Sequence, residues 1–206
     1  MTTSEWTSLV VELQALAQTS LYYRDNVYDS ERFARVREIS AIMLSQLSDE
    51  PLEKVEGVFC SDSGYTTPKV CTRAAVFEDG KILLVRESTS GLWALPGGWN
   101  DVTVTPGENA VKEVREEAGI EAVCERPIAI LDRNRNHFPR YPYSIVNLFF
   151  LARPVGGAFV PNQETEEAGY FSIDEIPPLD THKTTMDEIE MCFQAASDPN
   201  WKVLFD

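Results

Sequence analysis

Three glutamates stand close together on one predicted helix, at a spacing that can bind a metal ion. Glu113, Glu116 and Glu117 fall within one arc of about 100° on the helix surface. Like charges at this spacing destabilise a helix by about 0.2–0.5 kcal/mol per pair, and no lysine follows at i+4 to offset the group. One interpretation is a solvated acidic face. The other is a site for a hard divalent cation such as Mg²⁺, which takes oxygen ligands and often binds phosphate.

The helix that carries these glutamates has well-marked ends. Thr105 suits the N-cap, Pro106 suits the first helical position, and Glu108 completes a capping box with Thr105. Gly119 suits the position after the last turn. The residues on the neighbouring side are apolar and are expected to face the core: Ala110, Val111, Val114 and Ala118. The helix is therefore expected to present its glutamates beside a buried face.

The first part of the chain is predicted to form two helices. Leucines at helical spacing predict one helix after Ser4, and a second apolar pattern predicts another after Asp29 or Ser30, with a tyrosine-rich turn between them. Two helices cannot bury a core by themselves, so they are expected to pack on the rest of the chain or on a second subunit. Residues 51–67 contain Pro, Gly and Ser and are predicted to be a linker.

The chain from residue 68 onward has a mixed pattern of strands and helices. Residues 70–77 and 82–87 flank an Asp-Gly turn and predict a hairpin. Other predicted elements are strands at 122–130, 143–152 and 168–172, a short strand before a Gly97–Gly98 turn, and a last helix from Thr185. We therefore predict an α/β (α+β) sandwich over 68–206, preceded by a helical region over 1–50.

The composition excludes several classes of protein. The chain has 206 residues, with 33 acidic and 18 basic residues and a net charge of -15. Such a surface repels the nucleic-acid backbone, so broad nucleic-acid binding is not expected. No apolar run approaches the roughly 20 residues of a membrane helix, and the N-terminus lacks the layout of a signal peptide. The four cysteines have no metal-type spacing. We expect a cytoplasmic protein without a membrane segment.

The stretch that starts at Gly98 and contains KEVREEAGI resembles the Nudix signature. That signature reads Gly, five residues, Glu, seven residues, Arg-Glu-apolar-x-Glu-Glu-x-Gly-apolar, and this chain matches it without a gap. Two positions depart from it, because Val104 stands where the family has its first Glu and Lys112 stands where it has Arg. The resemblance implies a Nudix α/β/α sandwich with a mixed sheet. It also implies divalent-metal-dependent hydrolysis of a nucleoside diphosphate linked to another moiety.

Other segments are similar to one bacterial Nudix group with an N-terminal helical extension. They are the helical pair, PKVCTRAAVFEDGKILLVRES, LPGGWNDV and NLFFLARPVGG. This group acts on X-linked nucleoside diphosphates such as ADP-ribose and CDP-choline, and its members often lack the first signature Glu. The resemblance implies that the products are a nucleoside monophosphate and a phosphorylated X. Because members of this kind commonly pair, we expect a homodimer.

The resemblance also assigns roles to the acidic residues. Glu113, Glu116 and Glu117 are the implied ligands of Mg²⁺ (or Mn²⁺), with Glu116 and Glu117 counted among the catalytic residues, and the carbonyl of Gly97 is a candidate fourth ligand. Asp101 is a possible substitute for the missing Glu, although a plain loop aspartate is the simpler interpretation.

The base that activates water is expected in a loop beyond the signature, as in several family members. The stretch NQETEEAGYF offers Glu164, Glu166 and Glu167 just before a strand, and we select Glu164. The alternative is an exposed acidic loop.

Basic and aromatic residues near these segments are candidates for substrate binding. Residues 133–140, RNRNHFPR, concentrate positive charge in an acidic chain and could hold phosphate or the X moiety. A solubilising loop is the alternative. An exposed tryptophan in the loop after Gly98 could stack on a base. The candidates are Arg73, Arg86, Trp99, Arg133, Arg135 and His137.

Two other functions remain open from the sequence alone. The loss of the first signature Glu suggests a catalytically weakened Nudix domain that acts as a nucleotide-ligand sensor. The three retained glutamates argue against this, because a disused site has little reason to keep three repelling carboxylates. Hydrolysis of RNA ends is the other possibility, which the net charge of -15 disfavours.

Overall fold

The computed structural model describes residues 1–23, 26–138 and 140–206. Arg24 and Asp25, in the predicted tyrosine-rich turn, and Pro139, in the stretch 133–140, lie outside the described residues. The described chain divides into two compact units, one formed by residues 1–68 with 140–144 and the other by 69–138 with 145–206. None of its helices is both long and apolar enough to cross a membrane, within those described ranges.

The N-terminal unit contains three helices: α1 (Thr3–Tyr22), α2 (Val27–Ser48) and α3 (Leu52–Phe59). The first is capped by Thr2 and the second by Asn26, so α2 begins before the Asp29 or Ser30 start that we predicted. The predicted linker 51–67 contains α3. Pro51 does not prevent this helix, because it stands in front of it, where a missing amide hydrogen does no harm.

The small core of this unit explains why α3 forms. Val55 and Phe59, one helical turn apart on α3, are buried against Val10 of α1 and against Ala41 and Leu44 of α2. We predicted the linker and the domain boundaries from the Pro, Gly and Ser content, and this content does not reveal the two buried apolar residues of α3.

One side of α1 is apolar and exposed in the single chain. Trp6, Leu9, Leu13 and Leu16 are 42%, 42%, 39% and 59% exposed, whereas Val10 on the adjoining face is buried. We call these four residues the α1 stripe. The leucines whose spacing predicted the helix therefore lie on its surface and not in the core of their own unit.

The second unit is a mixed sheet with helices and loops around it. Its elements are β1 (Lys69–Glu78), β2 (Lys81–Glu87), β3 (Trp93–Ala94), α4 (Pro106–Ala118), β4 (Ile120–Asp132), α5 (Arg133–Asn136), β5 (Ile145–Gly157), β6 (Thr165–Phe171), a 3-10 turn (Ile173–Glu175), α6 (Met186–Ser197) and β7 (Leu204–Phe205). In the described residues the sheet has seven strands in the order β3-β2-β1-β5-β4-β7, and β6 pairs with β2. Two pairs are parallel, β1 with β5 and β4 with β7.

The predicted hairpin of β1 and β2 is confirmed. Phe77 pairs with Ile82, and the turn residues Asp79 and Gly80 have φ values of 50° and 75°. Two successive positive φ values are typical of the type I′ turn that an Asp-Gly pair favours.

Side chains of the sheet alternate between two cores. Ala74 and Val76 of β1 pack with Val114 of α4, and Ala75 between them packs with Ile189 of α6. The sheet therefore lies between α4 on one face and α6 on the other. The predicted α/β/α sandwich with a mixed sheet, preceded by N-terminal helices, is confirmed.

The segment 96–100, which we call the signature loop, is an extension of the sheet. Pro96 O accepts from Ala74 N at 2.9 Å and Gly98 O accepts from Thr72 N at 2.9 Å, so this segment pairs with the first half of β1. The two glycines were predicted as a tight turn, and they are instead extended along β1. Gly97 has a φ of 152°, and a Cβ atom there would lie 2.1 Å from Thr72 O. Only glycine allows this close approach.

Candidate active site

The helix α4 begins and ends as its sequence predicts. Thr105 is the N-cap, its side chain and that of Glu108 form the capping box, and Pro106 is the first helical residue. Gly119 ends the helix in the left-handed conformation, with a φ of 67°. These ends fix the register of α4, and the register decides which glutamates face the signature loop.

The three glutamates of α4 that we predicted as metal ligands occupy different environments. Glu117 is only 5% exposed, and its Oε2 accepts from the Gly97 backbone N–H at 2.9 Å. The side chain of Glu113 is 12% exposed and lies against Gly98, where a Cβ atom would be 2.9 Å from its Oε2. The side chain of Glu116 is 50% exposed. The three carboxylates that we predicted on one arc therefore differ in exposure: one is buried, one is half-buried and one is exposed.

Burial disfavours the charged form of the two inner carboxylates. Burial raises the pKa of Glu117 to about 8, although the hydrogen bond from Gly97 opposes this shift. The pKa of Glu113 is also raised, first by burial and further by the negative charges of Glu116 and Glu164. A carboxylate whose pKa is raised in this way is stabilised by any cation that approaches it.

Lys112 places an ammonium group among the carboxylates. Its Nζ lies 2.9 Å from Glu116 Oε2, 3.2 Å from Asp101 Oδ2 and 3.7 Å from Glu113 Oε1. Hydrogen bonds to Glu116 and Asp101 raise the lysine pKa above its ordinary value. Asp101, a possible substitute for the missing signature Glu, is therefore paired with this lysine.

The carboxylate oxygens of this site are suitable ligands for a hard divalent cation, but they are not arranged around a common point. Within the described ranges, no three His, Cys, Asp or Glu side chains are arranged to hold a metal ion. The Lys112 ammonium lies between Glu113 and Glu116, and Glu117 faces the Gly97 amide. The available donors are nevertheless carboxylate oxygens, which are the ligands that Mg²⁺ and Mn²⁺ prefer. The carboxylates of Glu113 and Glu117 are also held away from water.

Arg73 lies beneath the signature loop. It is 7% exposed on β1, and its Nη1 donates to the carbonyl oxygen of Gly97. The charges that favour the guanidinium include those of Glu117 and Glu87. We predicted that Arg73 binds substrate and that the Gly97 carbonyl binds metal; in the structure the two groups bind each other. The burial of Arg73 favours a role in holding the loop.

Arg86 and Trp99 are more accessible. Arg86 lies at the end of β2 and forms ion pairs with Glu166 at 3.5 Å and Glu167 at 3.2 Å, and its side chain is 36% exposed. Trp99 is 48% exposed and follows Gly98 in the signature loop. Both positions are consistent with the substrate-binding roles that we predicted.

Two of the three basic residues in the stretch 133–138 are buried. Arg133 is 3% exposed and donates to the carbonyl of His182. His137 is 1% exposed, with one ring nitrogen 2.8 Å from Glu188 Oε1 and the other 2.9 Å from a backbone carbonyl. These contacts correct our prediction for both residues, because they attach α5 and the residue after it to Glu188 of α6 and to the segment before α6. Arg135 is exposed and remains a candidate for substrate binding.

Asn109 is a site residue whose role the sequence did not reveal. It is fully buried on α4, where its amide donates to Thr72 Oγ1 at 2.8 Å and to Trp99 O at 3.1 Å. Its Oδ1 accepts from Asp101 N at 3.1 Å. The only sequence signal was an asparagine on the same arc as the glutamates. These bonds connect α4 to β1 and to the signature loop.

The candidate base Glu164 lies in the segment before β6. Its side chain is exposed, and its charge acts on Glu113, so it lies on the same side of the unit as the α4 carboxylates. The structure thus places Glu113, Glu116, Glu117 and Glu164 on one side of the unit, with Glu113 and Glu117 at the signature loop. It does not bring the buried His137 to them.

Comparison with known families gives two matches along the chain. Residues 4–59 match a family described as a UDP-X-like, N-terminal oligomerisation domain. Residues 68–190 match the NUDIX domain.

Individual proteins are similar over most or all of the chain. A Bacillus subtilis (strain 168) protein, to which an ADP-ribose pyrophosphatase activity is provisionally assigned, is 34% identical over 203 residues, or 98% of each chain. The crystal structure of an ADP-ribose pyrophosphatase from Streptococcus suis 89-1591 is 46% identical, covers 68% of this chain and 100% of its own, and has a TM-score of 0.63. The crystal structure of a UDP-X diphosphatase is 34% identical, covers 99% of this chain and 100% of its own, and has a TM-score of 0.63.

Proposed function

The chain belongs to the Nudix family and is a Nudix pyrophosphohydrolase, and from this premise we propose that it hydrolyses a nucleoside diphosphate linked to another moiety. Water adds to one phosphorus, and the bridging oxygen leaves with the other phosphate. The products are a nucleoside monophosphate and a phosphorylated X. For ADP-ribose these are AMP and ribose 5-phosphate.

The observation that carries this proposal is the position of the α4 carboxylates against the signature loop. Glu117 accepts from the Gly97 amide at 2.9 Å, and Glu113 lies against Gly98. Gly98 O accepts from the Thr72 amide of β1 and Gly97 O accepts from the side chain of Arg73, so the carboxylates face a backbone that is held in place. A cation held by carboxylates on such a support would be preorganised to stabilise the negative charge of a reacting diphosphate.

We propose that Glu113, Glu116 and Glu117 hold the divalent cation, Mg²⁺ or Mn²⁺. When bound, such an ion neutralises phosphate charge and lowers the pKa of water. The two inner carboxylates, with their raised pKa values, are the groups that gain most from a positive charge. In the proposed reaction Glu164 accepts the proton of the attacking water, because it is an exposed carboxylate on the same side as Glu113.

The proposed substrates are ADP-ribose, CDP-choline and UDP-linked compounds. ADP-ribose is supported by the Bacillus subtilis and Streptococcus suis proteins, and UDP-X by the third similar protein. CDP-choline rests on the resemblance of the sequence to the group with an N-terminal helical extension. Trp99 would stack on the base, and Arg86 and Arg135 would contact phosphate or the X moiety.

We also propose that the enzyme is a homodimer formed through its N-terminal helices. The α1 stripe is apolar and exposed in the single chain, and the segment 4–59 matches an oligomerisation domain. A second copy would bury the stripe.

A substrate panel tests the proposed function. Purified protein is incubated with ADP-ribose, CDP-choline, a set of UDP-sugars, and capped or free RNA, each with Mg²⁺, Mn²⁺ or EDTA, and products are separated by chromatography. We expect a nucleoside monophosphate from at least one small substrate, with the activity lost in EDTA. Glu117→Gln is the inactive control, and Glu121→Gln, an exposed glutamate on β4, is the matched active control.

The other outcomes of the panel identify the alternatives. Products from RNA alone would overturn the proposal in favour of action on RNA ends. Metal-dependent product from none of the substrates, with nucleotide binding still detected by calorimetry, would favour the sensor.

A further inference from the structure

Asn162 connects the segment before β6 to the end of α4. Its Nδ2 donates to the backbone carbonyl of Glu116 at 3.0 Å and lies 3.4 Å from that of Glu117. The last four carbonyls of an α-helix have no partner within the helix, so an amide from outside can satisfy them. The carbonyls that Asn162 contacts belong to two of the proposed metal ligands.

The other side of the same amide group shapes the segment that carries Glu164. Asn162 Oδ1 accepts from the backbone N–H of Glu164 at 2.9 Å and from that of Thr165 at 2.9 Å. One asparagine therefore holds the backbone of the proposed base with its oxygen and the backbone of the proposed metal ligands with its nitrogen.

Two more residues complete the attachment. Thr165 is fully buried, and its hydroxyl donates to Glu117 O at 2.6 Å while accepting from Asn162 Nδ2 at 2.8 Å. On the opposite side, Ser88 after β2 donates its backbone N–H to Glu164 O at 2.8 Å and its hydroxyl to Gln163 O at 2.9 Å. The backbone at Glu164 is thus fixed from both sides, although its side chain is exposed.

From these contacts we propose that Asn162 is a positioning residue, which sets the place of Glu164 relative to the carboxylates of α4. The proposal rests on the proposed function, because it gives Glu164 the task of accepting a proton from water. Asparagine suits this position because one amide group both donates and accepts. Aspartate accepts only, and alanine does neither.

The test is a double-mutant cycle on the full-length protein. Asn162→Asp keeps an oxygen acceptor for the Glu164 and Thr165 amides but loses the donor to the Glu116 carbonyl, so that of residues 162 and 165 Thr165 alone still bonds to α4. We expect kcat to fall by up to about 100-fold, the effect of a misplacement of about 1 Å, with KM changed by less than about twofold. Glu164→Gln should lower kcat by about 10²–10⁴-fold.

The double variant separates positioning from a general effect on the fold. If Asn162 acts through Glu164, Asn162→Asp causes no further loss of kcat when it is added to Glu164→Gln. Independent losses that multiply in the double variant would overturn the proposal, as would full activity of Glu164→Gln. Asn200→Asp, at an exposed asparagine in the turn after α6, is the matched control and should keep wild-type kcat.

Hydrogen exchange provides a readout that needs no substrate. The amides of Glu164 and Thr165 should exchange faster in Asn162→Ala than in the wild type, because alanine removes the oxygen that accepts from both of them. Unchanged protection would overturn the proposal even if kcat fell. If the wild type hydrolyses no substrate in the panel, the proposed function fails by itself, and the exchange rates still decide whether Asn162 holds the segment.

Discussion

At the scale of single residues, one helix gives the same side chain three different properties. Glu117 is buried under the signature loop, Glu113 is half-buried beside Gly98, and Glu116 remains at the surface with Lys112. The spacing of the glutamates follows from the sequence, but their burial depends on the loop that covers them. The inner carboxylates are costly for the fold and useful for binding a cation.

Glu117→Gln tests this opposition between stability and activity. We expect turnover to be abolished, while the metal-free variant melts no lower than the wild type, because a neutral amide can still accept from the Gly97 amide. The pKa of Glu117 is raised from 4.5 to about 8 in the fold, so the folded state holds a proton that the unfolded state releases. The free energy of unfolding of the wild type therefore falls as the pH rises from 4.5 to 8, and the variant lacks this fall.

Thermal melts in EDTA at several pH values across this range measure the effect. For a chain of this size the melting temperature changes by about 2–4 °C for each kcal/mol of stability. The melting temperature of the variant should therefore rise relative to that of the wild type toward the alkaline end of the range. Full turnover in Glu117→Gln would contradict the metal assignment. Parallel pH curves for the two proteins would contradict the effect of burial.

Lys112→Ala tests whether the lysine and the divalent cation compete for the same oxygens. Removing the ammonium between Glu116 and Asp101 takes away a positive charge that repels the ion, so we expect tighter binding of Mn²⁺, measured by electron paramagnetic resonance of the free ion. Lys112→Arg, which restores the residue of the family signature, retains the charge and should stay near the wild-type affinity. Weaker Mn²⁺ binding in Lys112→Ala would show that the lysine supports the ion.

At the scale of elements, the site is an α-helix docked on a loop that behaves as a strand. Asn109 connects α4 to β1 and to the signature loop, and the loop pairs with β1 through its own backbone. The position of the carboxylates therefore depends on the backbone of the signature loop and on the side chain of Asn109. A change of loop conformation should harm the site more than most changes of side chain.

The two adjacent glycines of the loop give a matched pair of variants. A Cβ atom on Gly97 would lie 2.1 Å from the backbone oxygen of Thr72, and its φ of 152° disfavours other residues. On Gly98 the nearest atom would be Glu113 Oε2 at 2.9 Å, the end of a flexible side chain. We expect Gly97→Ala to unfold at a lower temperature, losing on the order of 1–3 kcal/mol, and Gly98→Ala to fold normally with impaired turnover.

Circular dichroism melts and the substrate panel together distinguish these outcomes. Equal melting temperatures for the two variants would contradict the account of the loop.

Elements with local signals were predictable, and those that depend on distant partners were not. The capping boxes at Thr105 and Thr185 and the turn at Asp79–Gly80 lie within a few residues of sequence, and the structure confirms all three. The extended path of the signature loop depends on β1, and the burial of His137 depends on Glu188, which is 51 residues away. Neither partner is visible in the local pattern.

At the scale of the whole molecule, the two units give the chain two different surfaces. The net charge of -15 disfavours polyanions such as RNA, so a small diphosphate has to be held by local groups. The N-terminal unit adds an exposed apolar stripe, which a single copy leaves in water. Length and charge were evident from the sequence, but the direction of the stripe required the packing of α3 against α1 and α2.

Leu16→Asp tests the proposed dimer. Leu16 is 59% exposed in the single chain, so a charge there should leave the fold of the N-terminal unit intact. In a dimer that buries the stripe, an unpaired charge costs about 3–5 kcal/mol, which corresponds to at least a 100-fold weaker association. Sedimentation velocity should show a dimer for the wild type and for the exposed control Glu12→Gln, and a monomer for Leu16→Asp. A wild type that sediments as a monomer would contradict the proposal.

The ammonium of Lys112 has a consequence for how the enzyme matures. Zinc fingers and similar small domains do not fold until their ion binds, because the free energy of metal binding supplies their stability. Here a covalently attached cation already sits between Glu113 and Glu116. Folding of the chain therefore should not require the divalent ion that we propose, and we expect the metal-free protein to be folded and to gain activity when the ion is added.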